Sequence, residues 1–259
     1  MHWDGSSWGV IPSPNAQDSE NDLFAVAALS HDDAWAVGQY TGHTSEPYSI
    51  NALIEHWDGR NWTVYNNPEL GTLEGSLKSV NVISANDIWA VGNANVKPLA
   101  MHWNGVKWSV VPVPGADEKL ELNAVAAASS KDVWAVGESY ASGSAIVHWD
   151  GAAWRAMQSP VTQLDVAFEE IVALAHDNVW MIRHTWHSSE DYNQPQRQIM
   201  RWDGKQWSEI TLPASMANAR LAAITKDLAG NVWLAGSISD GKDKPSYGFT
   251  ARFSPSSCP

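Results

Sequence analysis

Carboxylates near the ends of short apolar runs are the first residues in this chain that could do chemistry. Glu169 and Glu170 stand side by side, and Asp22, Glu121 and Glu138 occupy comparable places elsewhere. Two carboxyl groups across one pocket can hydrolyse a glycosidic bond, at a separation of about 5 Å for retention of configuration or roughly 6.5 to 9.5 Å for inversion. Neighbouring strand residues point to opposite sheet faces, so Glu169 and Glu170 are a poor pair with each other. All five are candidate catalytic carboxylates of a glycoside hydrolase.

Aromatic and basic side chains form a second group that could bind a ligand. Exposed aromatic rings with polar neighbours are typical of ligand contacts in loops. Three polar segments each carry a tyrosine with carboxylates nearby, and one of them also carries a tryptophan between histidines. We predict a carbohydrate site at these residues, unless the segments are simply solvated and the tryptophan anchors a loop. The candidate ligand-binding residues are Arg183, His184, Trp186, Tyr192, Tyr48 and Tyr247.

A sequence repeat must position both groups of residues. The phrase His-Trp-Asp-Gly-x-x-Trp occurs at 2–8, 56–62, 102–108 and 148–154, with Asn104 for Asp in the third copy, and a fifth copy at 201–207 begins with Arg201. A second phrase close to Asp-x-Trp-Ala-Val-Gly follows each copy. A repeat of about 45 to 54 residues indicates one supersecondary unit that buries its faces only against its neighbours.

Each repeat is predicted to form four short antiparallel strands, which is one blade of a β-propeller. Asp-Gly pairs such as Asp58-Gly59 supply tight hairpin turns. We therefore predict an all-β, five-bladed β-propeller over 1–259 as a single domain. The predicted blades are 23–66, 77–111, 122–158, 168–211 and 221–253, and the N-terminal strand 7–11 completes the last blade and closes the ring. The alternative is an open solenoid, which would need capping units that the sequence does not show.

These phrases resemble a group of tryptophan-rich bacterial propeller repeats, and the resemblance covers essentially the whole chain. It implies a β-propeller and no particular activity. A five-bladed ring also resembles tachylectin-type lectins and the five-bladed glycosidases of the arabinanase and invertase kind. That similarity is architectural, because no sugar-site motif or glycosidase signature maps onto this sequence, and fold analogy alone does not establish function.

The repeated tryptophans have two interpretations, as aromatic platforms for a ligand or as packing between blades. A residue that every blade carries is expected to serve the blade, so we predict packing. The repeated histidines His56, His102 and His148 are interpreted in the same way, because one per blade does not converge on a metal. No cofactor or metal is expected.

Two departures from the repeat fall in blade four. Arg183 stands where the other units have glycine, and Glu170 stands where they have alanine or serine. Opposite charges between blades would each be costly alone, so we predict that Glu170 pairs with Arg183 or His184. The pair could be structural, or it could form the charged floor of a pocket.

The composition excludes several classes of function. A formal net charge of −13 argues against a nucleic-acid partner and against an anionic membrane surface. No apolar stretch is long enough to cross a bilayer, so no membrane insertion is expected. The single cysteine, Cys258, allows no intrachain disulfide and leaves the redox compartment open, and we favour a secreted or cell-surface location.

The sequence is therefore interpreted as a binding module for a carbohydrate or glycoconjugate. We place the site on the face that carries the segments after the second strand of each blade, because these are longest in blades four, five and one. A glycoside hydrolase is the first alternative, and a protein-interaction scaffold is the second.

Overall fold

The computed structural model describes residues 1–16, 20–42, 49–65, 74–115, 119–139, 143–161, 166–185, 196–216, 219–239 and 246–253. These residues form 21 β-strands and one short 3-10 helix, Ala214–Met216. No helix in the described ranges is long and apolar enough to cross a membrane. The predicted all-β, five-bladed β-propeller is confirmed.

The strands follow one another along the chain and pair antiparallel within each sheet. Blade one contains β3 (Asn21–Ser30), β4 (Asp33–Gly42), β5 (Ser49–Trp57) and β6 (Trp62–Val64). Blade two contains β7 (Gly75–Ser84), β8 (Asp87–Ala94), β9 (Lys97–Trp103) and β10 (Trp108–Val110). Blade three contains β11 (Leu120–Ser129), β12 (Asp132–Ser139), β13 (Gly143–Trp149) and β14 (Trp154–Ala156). Blade four contains β15 (Val166–Ala175), β16 (Asn178–Thr185), β17 (Gln196–Trp202) and β18 (Trp207–Ile210). Blade five contains β19 (Ala219–Lys226), β20 (Val232–Ser239) and β21 (Ser246–Phe253).

Tryptophans hold neighbouring blades together. Trp35 of blade one lies with its ring centroid 5.0 Å from that of Trp103 and 5.4 Å from that of Trp108, both of blade two. The same arrangement places Trp89 on Trp149 and Trp154, and Trp134 on Trp202 and Trp207. Large aromatics supply contact area that small strand residues cannot. The predicted packing role is confirmed for these tryptophans.

The repeated histidines belong to the same framework. In blade two the His102 ring lies 4.5 Å from the Trp89 ring, and its Nε2 is 2.8 Å from Asp87 Oδ1. Blades one and three repeat the arrangement with His56 and His148. Each histidine is therefore held by an aspartate of its own blade. Among the described residues, no group of three or more His, Cys, Asp or Glu side chains could hold a metal ion.

The glycine that ends the second phrase of the repeat is explained by a close approach of two strands. A Cβ atom at Gly38, Gly92, Gly137 or Gly236 would lie 1.8 to 2.1 Å from a carbonyl oxygen of the first strand. That distance is far below any real carbon contact, so only glycine allows this strand spacing. Blade four carries Arg183 instead and must space its strands differently at this point.

Replacing Gly92 with alanine should therefore destabilise the protein by about 1 to 3 kcal/mol, as overpacking does elsewhere. Gly9→Ala is the matched control, because a Cβ there meets nothing within 4 Å. Urea unfolding of the two variants measures the difference. Equal stability of both variants would contradict the steric explanation.

The predicted closure of the ring by residues 7–11 is wrong in this structure. Strand β1 (His2–Trp3) pairs with β2 (Trp8–Gly9), and the sheet of blade five has three strands. The reason is local: Asp4 Oδ1 accepts hydrogen bonds from the backbone N–H groups of Ser6 and Ser7 at 2.8 Å and fixes the turn of a hairpin. The N-terminal phrase thus folds on itself, as the same phrase does in the other repeats.

Candidate functional site

The first strands of the blades surround the central axis of the propeller. β3 contacts β7, β7 contacts β11, β11 contacts β15 and β15 contacts β19. Each first strand begins at the edge of its sheet where the second strand ends, because the two are antiparallel. Side chains at this edge therefore converge at one mouth of the axis, on the face where the sequence placed the site.

A β-bulge near the start of each first strand leaves one residue without a partner across the ladder. These residues are Phe24, Lys78, Asn123, Glu169 and Ala222. Bulges redirect side chains and are frequent beside functional sites. Three of the five are polar, and all three bond to neighbouring groups around the axis.

Blades two and three are joined by the first of these polar links. Lys78 Nζ donates to Glu121 Oε2 at 2.8 Å and to Asn123 Oδ1 at 3.1 Å. Asn123 Nδ2 in turn donates to the Phe168 carbonyl oxygen of blade four at 3.1 Å. One lysine and one asparagine thus tie three blades together at the mouth of the axis.

Blade four holds its polar groups around Glu169. Glu169 Oε1 is hydrogen-bonded to His184 Nδ1 at 2.6 Å, and Glu169 Oε2 accepts from Arg197 at 2.9 Å. Arg197 also donates to the Leu221 carbonyl oxygen of blade five. The imidazole of His184 is buried. Each carboxylate oxygen of Glu169 therefore has its own partner, His184 for Oε1 and Arg197 for Oε2. The chain of polar contacts therefore extends from blade two to blade five.

Glu138 lies between these two groups and carries a perturbed pKa. It stands directly across the ladder from Glu121. Burial raises the pKa of the Glu138 carboxyl most, and the charges of Glu121 and Glu169 raise it further, while Lys78 and His184 partly offset the rise. Glu138 therefore keeps its proton to a higher pH than a free glutamic acid and can donate a hydrogen bond.

We call this group the axial cluster, and it contains Lys78, Glu121, Asn123, Glu138, Glu169, His184 and Arg197. It brings together Glu121, Glu138 and Glu169, predicted as candidate catalytic carboxylates, and His184, predicted as a ligand-binding residue. The sequence analysis missed Lys78, Asn123 and Arg197. The signal that could have found the first two is the residue after the Leu or Phe near the start of each first strand, because this residue differs in every blade.

The predicted pair between Glu170 and Arg183 is wrong. The bulge at Glu169 sets Glu170 opposite Ile182 and Arg183 opposite Phe168. Arg183 instead forms an ion pair with Glu209 of the outer strand β18, with 3.8 Å between Arg183 Nη2 and Glu209 Oε2. Burial raises the pKa of the Glu170 carboxyl, Glu169 raises it further, and Arg197 partly offsets this. His184, the alternative partner, is hydrogen-bonded through Nδ1 to Glu169.

The remaining candidates lie at the same edge or outside the described residues. Asp22 accepts a hydrogen bond from Gln39 at 3.3 Å, at the ladder position in blade one that Glu121 and Glu138 occupy in blade three. Tyr247, near the start of β21, is exposed. Trp186, Tyr192 and Tyr48 lie outside the described residues.

Comparison with known proteins identifies the fold and no family. No protein-family model matches the chain, and no curated protein is significantly similar in sequence. A protein of unknown function from Dyadobacter fermentans is 12% identical, with a TM-score of 0.58 over 93% of this chain and 77% of that one. The SapL1 lectin, solved in complex with alpha methyl fucoside, is 11% identical, with a TM-score of 0.53. The match covers 91% of this chain and 81% of the lectin chain. YCF48 bound to a D1 peptide is 16% identical, with a TM-score of 0.50. The match covers 95% of this chain and 73% of the YCF48 chain. At these identities the similarity shows the propeller fold alone.

Proposed function

We propose that this protein is a carbohydrate-binding β-propeller whose ligand lies over the axial cluster. The observation that carries the proposal is the convergence of polar side chains from blades two, three and four at one mouth of the axis. A propeller needs apolar contacts between its blades, so a hydrogen-bonded group of charged residues at this point is not required by the fold.

The chemistry of the axial cluster suits the hydroxyl groups of a sugar. Each hydroxyl donates one hydrogen bond and accepts others, and the cluster offers both cationic donors and carboxylate acceptors. Lys78, Glu169 and Arg197 are already held by their neighbours, so little side-chain entropy is lost when a ligand binds. Three carboxylates would repel a phosphate or another anion. The lectin among the structural neighbours is consistent with a sugar, but the fold alone does not decide this.

The aromatic residues predicted from the sequence fit this proposal. The segment that contains Trp186 and Tyr192 follows directly after β16, which ends at Thr185 beside His184. Tyr247 is the second residue of β21, the third strand of blade five, at the same edge of the sheets. We therefore propose that Trp186, Tyr192 and Tyr247 extend the site around the polar cluster, with Tyr48 on the side of blade one.

The test is a glycan array followed by calorimetric titration of the strongest ligand. Glu169→Gln should weaken binding by about 10- to 100-fold, because a hydrogen bond to a charged group contributes about 1.5 to 3 kcal/mol. Asp203→Asn is the matched control. It also removes one carboxylate charge, but in an exposed turn where blade two carries Asn104 and forms the same turn bonds. Equal affinity of the two variants, or no glycan bound by the wild type, would contradict the proposal.

A glycoside hydrolase is a second candidate that one observation favours. Glu138, with its raised pKa, stands across the ladder from Glu121 and is close enough to Glu169 for the two charges to interact. Glycosidases use two carboxyl groups across one pocket, and the one that acts as the acid has a raised pKa. If the glycan bound in the array is also cleaved, Glu138→Gln should abolish cleavage and preserve binding. Intact glycan after prolonged incubation with the wild type would exclude this candidate.

A further inference from the structure

A groove follows the first strand of blade one, β3. Its volume is about 490 Å³, and its lining includes Leu23 and Val26 of β3 together with Met1, His2 and Ile11 of the N-terminal segment. In blades two to five the residues at the place of Leu23 are buried in cores between blades. Leu23 is 43% exposed and Val26 is 66% exposed. In the described part of the chain, blade one thus leaves open an apolar surface that the other blades cover.

The groove has an uncommonly uniform lining. Its side chains are apolar or aromatic apart from two serines and two histidines, and no aspartate, glutamate, lysine or arginine of the described ranges belongs to it. Small residues keep it open, because Val26 lies across the ladder from Ala36, and Ala28 from Ala34. Exposed apolar surfaces of this kind are typical of binding sites. The lining therefore suits an apolar ligand and supplies no charged group for an ionic one.

One end of the groove lies beside the axial cluster. Phe24 lines the groove and is also the bulge residue of β3, at the position that Lys78 occupies in the next blade. Phe24 is 50% exposed. The lining also includes Ser30 and His31, at the opposite end of the same strand. A strand rises about 3.3 Å per residue, so the groove extends roughly 20 Å away from the mouth of the axis.

An alkyl chain fits this groove better than a peptide does. Each residue of a bound peptide brings an N–H and a C=O group that need hydrogen-bond partners. The backbone of β3 is already paired with β4 along the groove, and the lining offers few polar side chains. An alkyl chain requires no such partner, and its binding removes the apolar surface of Leu23, Phe24 and Val26 from water.

We propose that the groove binds the apolar chain of a glycolipid whose sugar lies over the axial cluster. The inference rests on the carbohydrate site proposed above and adds the class of glycoconjugate to it. Phe24 belongs both to the mouth of the axis and to the groove, so the sugar and the chain of one molecule can occupy the two sites together. The polar end of the ligand then faces blades two to four, and its apolar end lies along blade one.

Alkyl glycosides of the glycan that binds most tightly in the array test the proposal. The octyl glycoside, used below the concentration at which it forms micelles, should bind the wild type about 10- to 100-fold more tightly than the methyl glycoside. The reason is that each methylene group that leaves water strengthens binding by up to about fourfold. Calorimetric titration measures both affinities. Equal affinities would overturn the proposal and leave the carbohydrate site standing.

A pair of matched variants locates the effect. Val26→Asp places a charge in the groove and should remove the advantage of the octyl glycoside without changing the affinity for the methyl glycoside. Val26 is largely exposed, so the fold should persist, which circular dichroism checks. Val106→Asp makes the same change at an exposed valine outside the groove and should keep the advantage. An advantage that survives in Val26→Asp, or that both variants lose, would contradict binding of the chain in the groove.

The dye diphenylhexatriene gives a second measurement that does not depend on the sugar. This uncharged, rod-shaped molecule fluoresces strongly only in apolar surroundings. Its fluorescence should rise with the wild type and with Val106→Asp, and stay low with Val26→Asp. If the dye behaves in this way but no glycan binds in the array, the proposed function and the sugar half of this inference fail, while the apolar half is supported. Equal fluorescence with all three proteins would overturn the groove as a binding site.

Discussion

Replacing Trp89 with alanine should lower the free energy of unfolding by about 3 to 5 kcal/mol, the range for large aromatic residues removed from a core. Trp89 is 1% exposed, and its ring lies 4.9 Å from that of Trp149 and 5.2 Å from that of Trp154. Its loss therefore leaves a cavity between blades two and three that backbone ladders on both sides prevent from collapsing. Urea unfolding followed by circular dichroism measures the change.

Trp8→Ala is the matched control for this prediction. Trp8 belongs to the same repeat phrase but is 66% exposed in the N-terminal hairpin, so its removal should cost less than about 1 kcal/mol. The comparison separates a role in packing from the mere presence of tryptophan. Similar losses for Trp8→Ala and Trp89→Ala would show that burial between blades does not determine the contribution of these residues.

Replacing Glu55 with methionine, the residue of blade two at this position, should stabilise the protein above pH 7. Burial raises the pKa of Glu55 from 4.5 to about 7. Below pH 4.5 the carboxyl is protonated in both states and contributes no difference. Between pH 4.5 and 7 the unfolded chain releases the proton and the folded chain keeps it, so the free energy of unfolding falls as pH rises. The total loss is about 3 kcal/mol, at about 1.4 kcal/mol per pKa unit.

The measurement is the free energy of unfolding of wild type and Glu55→Met at pH 4.5 and pH 8, at a concentration where both are monomeric. The advantage of Glu55→Met should be larger at pH 8 than at pH 4.5 by about 3 kcal/mol. Glu74→Met, at an exposed glutamate, controls for the loss of one negative charge and should show no such difference. An advantage of Glu55→Met that does not change with pH would mean that Glu55 ionises normally in the folded protein.

The sequence predicted the blades because their signals are local. The spacing of the tryptophans and the Asp-Gly turns depends on residues that are near in the chain, and the Asp58 carboxylate indeed accepts two backbone bonds within its own turn. Pairing of the two chain ends is not local. The counting of strands assigned residues 7–11 to blade five, whereas Asp4 fixes the turn of a hairpin in which Trp8–Gly9 pair with His2–Trp3 of the same phrase.

The candidate site was predicted in two parts that the structure joins. His184 was placed with the ligand-binding residues, and Glu138 and Glu169 with the catalytic carboxylates, whereas all three belong to one cluster. The obstacle was the bulge in each first strand. Strict alternation from Phe168 puts Glu170 on the same sheet face as Arg183, which stands opposite Phe168. The extra residue, Glu169, instead sets Glu170 opposite Ile182 and so on the other face, and Glu169 itself bonds His184. A bulge depends on the approach of the facing strand, which the sequence does not state.

The most direct measurement of the proposed function is a crystal structure of the protein with the glycan that binds most tightly in the array. We predict that sugar hydroxyls lie within hydrogen-bond distance of Glu138, Glu169 or Arg197 at the mouth of the axis, with the segment of Trp186 beside the ring. A glycan bound between blades or on the outer strands, with the axial cluster unchanged and solvent-filled, would contradict the account.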